Sequence, residues 1–419
     1  MGKRIVITSL GSLGDIYPYL ALARRLTRRG HDAIFATSAS YRPLIEGEGV
    51  AFCPVRPDID LEDRVMIRRI MEPRRGPEIL MRECLLPHLR HTYADLTAAA
   101  HGADLLVTHP ITFAGPLVAE RQQIPWASTV LAPMSFFSVY DLPVFPPLPW
   151  LAWLYRRRPG VSRALMHVMK WMTRPWIKPI RQLRAELGLP TRGDPAYEGQ
   201  FSPELTLALF SRVLAVPQPD WPPHTQVTGF VFHDESNHLP PEVAQFLDTG
   251  PAPLVFTLGS AVVSTAGPFY QESVEAVRRL GCRAVLLVGT DPQNHLPEPL
   301  PEGVLAVPYA PHGDLFPRAQ AIIHHGGIGT TAQALRAGRP MLVVPYAYDQ
   351  PDNALRVVNL GVARTLFAKH YVATRVATHL RALLAGPRYA QRAAEVGRMV
   401  QAEAGDQQAC DAIEAYLAC

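Results

Sequence analysis

The chain has 419 residues, 48% of them hydrophobic and 19% charged, with a formal net charge of +4. That length exceeds one ordinary core and leads us to expect two domains of a soluble globular enzyme; the small charge, with no accompanying binding motif, excludes nucleic acid as a partner. Five cysteines, at 53, 84, 282, 410 and 419, form no CxxC pair, which fits a reducing cytoplasm better than a disulfide framework or a zinc site.

In chain order, Arg4 to Thr8 reads as a strand and Tyr17 to Arg29 as a helix closed by Gly30. Between them lies "SLGSLGDIYPYL", a turn that lacks the third glycine of a dinucleotide loop and places Asp15 where a phosphate would be repelled. Alone, Asp15 reads as an acid at a helix N-terminus, worth ~0.3–1 kcal/mol. Ala33 to Thr37 is a second strand, and Leu105 to Thr108 a later one that ends in His109. Strands alternating with helical patterns imply a parallel sheet with crossover helices. The apolar stretch before Gly11 is too short for a signal-peptide core, and no apolar run approaches the ~18 residues of a membrane span. A cytoplasmic location, or one peripheral to the inner face of a membrane, is expected.

Trp150 to Arg184 breaks the alternation, with nine Lys or Arg, no acid, and Trp150, Trp153, Trp171 and Trp176 interleaved. It reads either as helices capping the first domain or as a surface that meets anionic lipid. The prolines of "VPQPDWPPHTQVTGF" then suggest a linker. Beyond it the alternation returns, with strands Leu254 to Thr257, Ala284 to Val288, Ala321 to Ile323 and Met341 to Val344. The boundaries expected are 1–215, a linker at 216–240, 241–400, and a C-terminal helix at 401–419 packing back on the first domain. In "AIIHHGGIGTTAQALRAGRPMLVVPYAYDQPDN", residues 321–353, a strand runs into glycines before a helix expected to open at Thr330. Such a helix N-terminus suits phosphate. The next strand ends in Tyr348-Asp349-Gln350, an acid and an amide suited to sugar hydroxyls.

"HHGGIGTT…GRP…VVPYAYDQPDN" resembles the donor-binding signature of the GT-B glycosyltransferases of the UDP-glycosyltransferase superfamily. "TSLGSLGDIYPYLALARRL" resembles the opening of its bacterial branch, which glycosylates lipids, macrolides and sterols and includes rhamnosyltransferases. The resemblance implies an α/β GT-B fold, in which two Rossmann-like domains face an inter-domain cleft. It also implies inverting transfer of a hexose from a nucleoside diphosphate sugar, UDP- or dTDP-linked, to a hydroxyl of a lipophilic acceptor.

Carried over by residue, the resemblance implies that His325, Gly326, Gly327, Gly329 and Thr330 hold the diphosphate, helped by Gly259 and Ser260. Tyr309 and Ala310 would meet the base, and Asp349 and Gln350 the hexose. Tyr309 stands where tryptophan is usual, and Gln333 where a glutamate often binds ribose. Since the first domain of this fold binds the acceptor, Asp15 becomes the expected general base. His109 either orients it, touches the acceptor, or is a plain loop histidine. The segments around Met134-Ser135-Phe136-Phe137 and Pro143 to Leu148, with the tryptophan-rich helices, are expected to line the acceptor pocket. Asp58-Ile59-Asp60 matches a metal-binding DxD but has no strand leading into it and reads as a solvated loop. No metal and no cofactor are expected. A sugar-nucleotide epimerase on the same fold, a nicotinamide-dependent oxidoreductase and a non-catalytic binding protein are the competing readings.

Overall fold

The computed structural model describes residues 2–58, 63–144, 158–233, 238–296 and 299–418. Its first sheet is formed by β1 (Arg4–Thr8), β2 (Asp32–Thr37), β3 (Ala51–Pro54), β4 (Leu105–Thr108), β5 (Trp126–Val130), β6 (Thr206–Ala208) and β7 (Thr225–Val227). The second is formed by β8 (Leu254–Thr257), β9 (Ala284–Leu287), β10 (Val304–Val307), β11 (Ala321–His324), β12 (Met341–Val343) and β13 (Ala363–Thr365). The orders are β3-β2-β1-β4-β5-β6-β7 and β10-β9-β8-β11-β12-β13, and neighbouring strands run parallel. These are two Rossmann-like α/β domains.

Parallel strands are covered on both faces, so their residues are apolar almost throughout. In β1, Ile5 and Ile7 meet Leu22, Ala23 and Leu26 of helix α1 (Leu13–Arg28), while Val6 faces Leu96 and Val118 on the other side. Helix α1 begins at Leu13, four residues before the apolar pattern suggests, because Ser12 and Asp15 cap it reciprocally. Helix α2 (Arg64–Ile70) follows β3, and α3 (Pro159–Thr173) follows β5. In the second domain α4 (Ile328–Arg336) follows β11, starting two residues earlier than expected, and α5 (Gln350–Asn359) follows β12.

The proline-rich stretch is not wholly a linker. Its Trp221 is buried against Phe136, with ring centroids 4.1 Å apart, and Thr225–Val227 forms the edge strand β7. Edge strands tolerate flanking prolines, and this one starts beyond the last of them. After the second domain, α6 (Gly405–Leu417) lies against α1. Ala409, Cys410 and Ile413 join the first-domain core, and Arg29 pairs with Asp411 and Glu414, both at 2.7 Å. The two passages of chain between domains run side by side. A Cβ on Gly229 would lie 3.0 Å from the Glu403 Cβ, and one on Gly405 would lie 2.2 Å from the Phe230 carbonyl oxygen. No helix among the described residues is long and apolar enough to cross a membrane.

Gly405→Ala must therefore push two backbone segments apart. It should cost about 1–3 kcal/mol, the usual range for overpacking, read as a lowered urea midpoint. A midpoint equal to wild type would show that this junction is not tightly packed.

Candidate active site

Strand order reverses between β1 and β4 in one sheet and between β8 and β11 in the other. Ligands of such sheets bind outside the strand C-termini at these switch points. The segments there are Ser9–Asp15 and His109 in the first domain, and Leu258–Ser260 and His325–Gly327 in the second. They face one another, and a Cβ on Gly329 would lie 3.6 Å from the Gly14 Cα. The N-termini of α1 and α4 thus meet across the cleft, each with a dipole equivalent to roughly half a positive charge.

The two oxygens of Asp15 have different surroundings. Oδ2 accepts from the Ser12 N–H at 2.9 Å and from the Ser12 hydroxyl at 3.1 Å, and this accounts for the helix cap. Gly11, with φ at +130°, makes room for it, since a Cβ there would lie 2.4 Å from Oδ2. Oδ1 is 3.7 Å from His109 Nε2, and the side chain remains 34% exposed. The capping and the proton-accepting roles are therefore compatible, one oxygen for each. Burial raises the Asp15 pKa to about 6, against the lowering effect of the Ser12 hydrogen bonds. His109 is buried, lies edge-on to Tyr19 at 5.7 Å, and is held neutral by burial, with a pKa of about 3. Its Nδ1 has no hydrogen-bond partner among the described residues.

In the second domain the His325 ring fills the space left by two glycines. A Cβ on Gly259 would lie 2.6 Å from its Cε1, and one on Gly327 2.4 Å from its Nε2. Burial, with a smaller contribution from the charge of His312, lowers its pKa to about 3, so it enters as a neutral imidazole. Its Nδ1 is buried and unpartnered among the described residues. His324, at the end of β11, accepts from the Gly326 N–H at 3.1 Å through Nδ1 and so sets the turn. Asn353 ties the same turn from α5, donating to the Gly326 carbonyl at 2.9 Å and to Asp349 Oδ2 at 2.6 Å.

Asp349 carries a pKa raised to about 7. Burial is the main cause, opposed by Asn353, and the charge of Asp15 across the cleft adds to it. Gln350 is buried, and its amide oxygen already accepts from the backbone N–H groups of Tyr346 and Ala347, at 2.8 and 3.1 Å. Only its NH₂ end remains for a ligand.

A cavity of about 1260 Å³ opens between the domains. Of the residues singled out in the sequence, Gly259, Ser260, Tyr309, Gly329 and Thr330 line it, as does Gln333. Its lining does not include Asp15, His109, Gly326, Gly327, Asp349 or Gln350, and His325 stands behind Gly259. Ala310 is fully buried, so only its backbone could meet a base. Phe136 is a core residue, stacked on Trp221 with Phe201 tilted and Phe210 edge-on to it, and does not form a pocket wall. Phe137 packs on Tyr197 at 4.9 Å, and Met134 is half-buried; neither lines the cavity. Of the stretch Pro143 to Leu148, residues 145–148 lie outside the described residues, as do Ile59 and Asp60. Asp58 accepts from the Ala39 N–H at 2.5 Å.

Sequence reasoning missed several wall residues. His312, stacked on Phe316 at 4.4 Å, lies two residues beyond Ala310 in the stretch "VPYAPHGDLF". Arg64, at the start of α2, reaches Asp291 of the second domain at 3.2 Å, and no local signal marks it. Among the described residues no group of three or more His, Cys, Asp or Glu is placed to hold a metal ion.

Two parallel-sheet domains with opposed switch points and a glycine turn under a helix N-terminus define the GT-B architecture. The solved glycosyltransferase of kitacinnamycin shares this fold, with a TM-score of 0.75 at 22% identity over 100% of both chains. So does the glycosyltransferase VinC in complex with dTDP, at 0.68 and 21% over 99% of both. A model of the family 28 glycosyltransferase N-terminal domain matches residues 5–140, and one of the erythromycin biosynthesis protein CIII-like C-terminal domain matches 274–415. The O-mycaminosyltylonolide 6-deoxyallosyltransferase of Streptomyces fradiae is 31% identical over 99% of this chain and 97% of its own length. A sterol 3-beta-glucosyltransferase of Leptosphaeria maculans is 29% identical over 85% of this chain, which spans a quarter (25%) of that longer protein. The chain belongs to the glycosyltransferases of the UDP-glycosyltransferase superfamily.

The pKa of Asp15 makes its role testable. If Asp15 is the general base it acts ionised, and turnover should rise with pH through about 6 and then level off. Asp349→Asn should keep that limb, while Asp15→Asn should lower turnover of an aliphatic alcohol by roughly 10²–10⁴, and of an acidic phenol least. A raised carboxyl pKa means that the ionised form disfavours folding above the limb. Asp15→Asn should therefore be at least as stable as wild type in alkaline buffer. Near-normal turnover in the Asn variant would leave Asp15 as a cap alone.

Proposed function

We propose that the protein is an inverting, metal-independent hexosyltransferase. It moves a sugar from a UDP- or dTDP-linked donor to a hydroxyl of a lipophilic small molecule. The observation that carries this reading is the split carboxylate of Asp15, with Oδ2 committed to the helix cap and Oδ1 3.7 Å from the neutral His109. The acceptor hydroxyl gives its proton to Oδ1 as its oxygen attacks the anomeric carbon from the face opposite the diphosphate. The bond from that carbon to the diphosphate breaks, and the electron pair leaves on the phosphate oxygen. The N–H groups opening α4 and the His325 imidazole receive that charge, which is the work a metal does in other transferases.

For the donor, the dTDP held by VinC and the loss of a ribose-binding carboxylate at Gln333 favour a deoxyribose nucleotide. A UDP-sugar is the second donor to assay. The cavity, about 1260 Å³, exceeds the ~300–1,000 Å³ of a one-ligand pocket, leaving room for donor and a bulky acceptor together. The tylonolide and sterol named for the two relatives are acceptors of that size. Incubating donor alone separates this reading from an epimerase, which converts the sugar, whereas a transferase at most hydrolyses it slowly.

Contact with an anionic membrane is also proposed, through α3. Its Ser162 and Met166 face inward, while Val161, Val168, Trp171 and Met172 form an outward stripe, with Trp171 74% exposed. Arg163, Arg174 and Lys178 flank it, and no ion pair is seen for them among the described residues. Trp150 and Trp153 lie outside the described residues. Such a face suits the interfacial zone of an anionic bilayer.

Two outcomes test these assignments. His325→Ala removes a hydrogen bond to a charged group, worth roughly 1.5–3 kcal/mol, so kcat/KM for the donor should fall about ten- to a hundredfold. An unchanged value would take His325 out of the site. Wild type should bind phosphatidylserine vesicles at low salt, and Arg174→Ser with Lys178→Ser should weaken this about thirtyfold, at ~1 kcal/mol per basic group. Equal binding to neutral vesicles, or none, would end the membrane reading.

A further inference from the structure

Helix α5 carries two sets of contacts that point to different domains. Asp349 and Asn353 face the donor turn, and Asn353 holds Gly326 directly. Asp352, Leu355 and Arg356 face the first domain. Arg356 donates through Nε to Asp352 Oδ2 at 2.7 Å, and through Nη1 to Asp141 Oδ2 at 2.7 Å and to the Leu214 carbonyl at 3.0 Å. Asp352 Oδ1 accepts from the Val144 N–H at 3.2 Å. Leu355 packs on the small apolar cluster of Leu142, Val144, Met166 and Tyr197, where Phe137 also sits.

Asp352 and Arg356 are buried, at 0% and 6% exposure, so this is an ion pair removed from water. A buried pair is weak evidence for stability, since an apolar replacement of the same shape often serves as well or better. What such a pair supplies is direction. A guanidinium fork accepts carboxylates in few geometries, and here it fixes segment 138–144 of the first domain against one face of α5. The opposite end of that segment is fixed too. Asp220 accepts from the Ser138 hydroxyl at 2.6 Å and from the Val139 N–H at 2.7 Å.

We propose that Arg356 is a positioning residue that couples donor occupancy to the placement of segment 138–144, which continues the chain from Leu131 in the cavity wall, and with it of the acceptor. This rests on the transferase reading above, with the acceptor held by the first domain. The mechanism is mechanical. A donor that draws in Asp349 and the Gly326 turn moves the N-terminal end of α5. Asp352 and Arg356, within the next two turns of the same helix, carry the movement to Asp141 and Val144. Arg356 touches neither sugar nor acceptor in this scheme.

The test uses Arg356→Lys, which keeps the charge and loses the fork, and Asp141→Asn at the partly exposed end of the network. Misplacement of the acceptor alone should cut transfer about ten- to a hundredfold, with donor KM and acceptor-free donor hydrolysis close to wild type. The ratio of hydrolysis to transfer should therefore rise in both variants. A merely structural Arg356 lowers both rates in proportion and leaves that ratio unchanged, and this result would overturn the proposal. Hydrogen exchange on the full chain supplies a readout without turnover. In wild type, UDP or dTDP should protect both Gly326–Thr331 and 138–144, and in Arg356→Lys only the former. Equal protection of 138–144 in the two proteins also overturns the coupling. Failure of either nucleotide to protect Gly326–Thr331 in wild type is a separate outcome, which removes the donor reading and the coupling with it.

Discussion

Everything at the cleft depends on the close meeting of two helix N-termini, at Gly14 and Gly329. Each follows one of the two strands that flank its sheet's switch point, β1 in the first domain and β11 in the second. The local dipoles are alike in sign and repel, which makes this a surface that gains by having an anion between or beside its two ends. The first domain partly answers that field itself, since Asp15 sits in the first turn of α1. The second leaves its turn open, with a glycine layer and a histidine behind it. The two helix starts thus differ in the residue after the last glycine, Asp15 in one and Thr330 in the other.

The titration behaviour follows from the same enclosure. Burial holds His109, His312 and His325 neutral and pushes Asp15 and Asp349 up to about 6 and 7. These buried groups thus resist charge of either sign before any ligand arrives. A diphosphate reverses that for the histidines, because an anion nearby favours the protonated imidazole. It works against the carboxylates.

Much of this was legible in the sequence. Strands buried on both faces form continuous apolar runs, which is why β1, β4 and β8 were found at their exact limits. Helix starts were placed late for α1 and α4, because a capping pair and a glycine carry no apolar signal. β7 was hidden by the prolines before it, and Phe136 looked like pocket lining although its partners, Phe201, Phe210 and Trp221, lie far along the chain. Residues that act by long-range pairing were invisible. Arg64 sits in an arginine-rich stretch without distinguishing marks, and Asp141 gave no sign of its partner. The i, i+4 spacing of Asp352 and Arg356 was the one local hint that α5 had a charged second face.

The side-by-side passages at Gly229–Phe230 and Glu403–Gly405 have a consequence for how the cleft can open. A single tether lets two bodies slide, twist and drift apart. Two strands of chain crossing at one place, with backbone against backbone and Ser211 bonded to Glu403, behave like the pin of a door. Rotation about the pin remains cheap, while translation must break packed contacts at both crossings. Each opening then retraces one arc, and each closing returns Gly14 to the same opposite number. The alignment of the two helix N-termini is thereby reset by the pivot, and need not be searched for anew in every cycle.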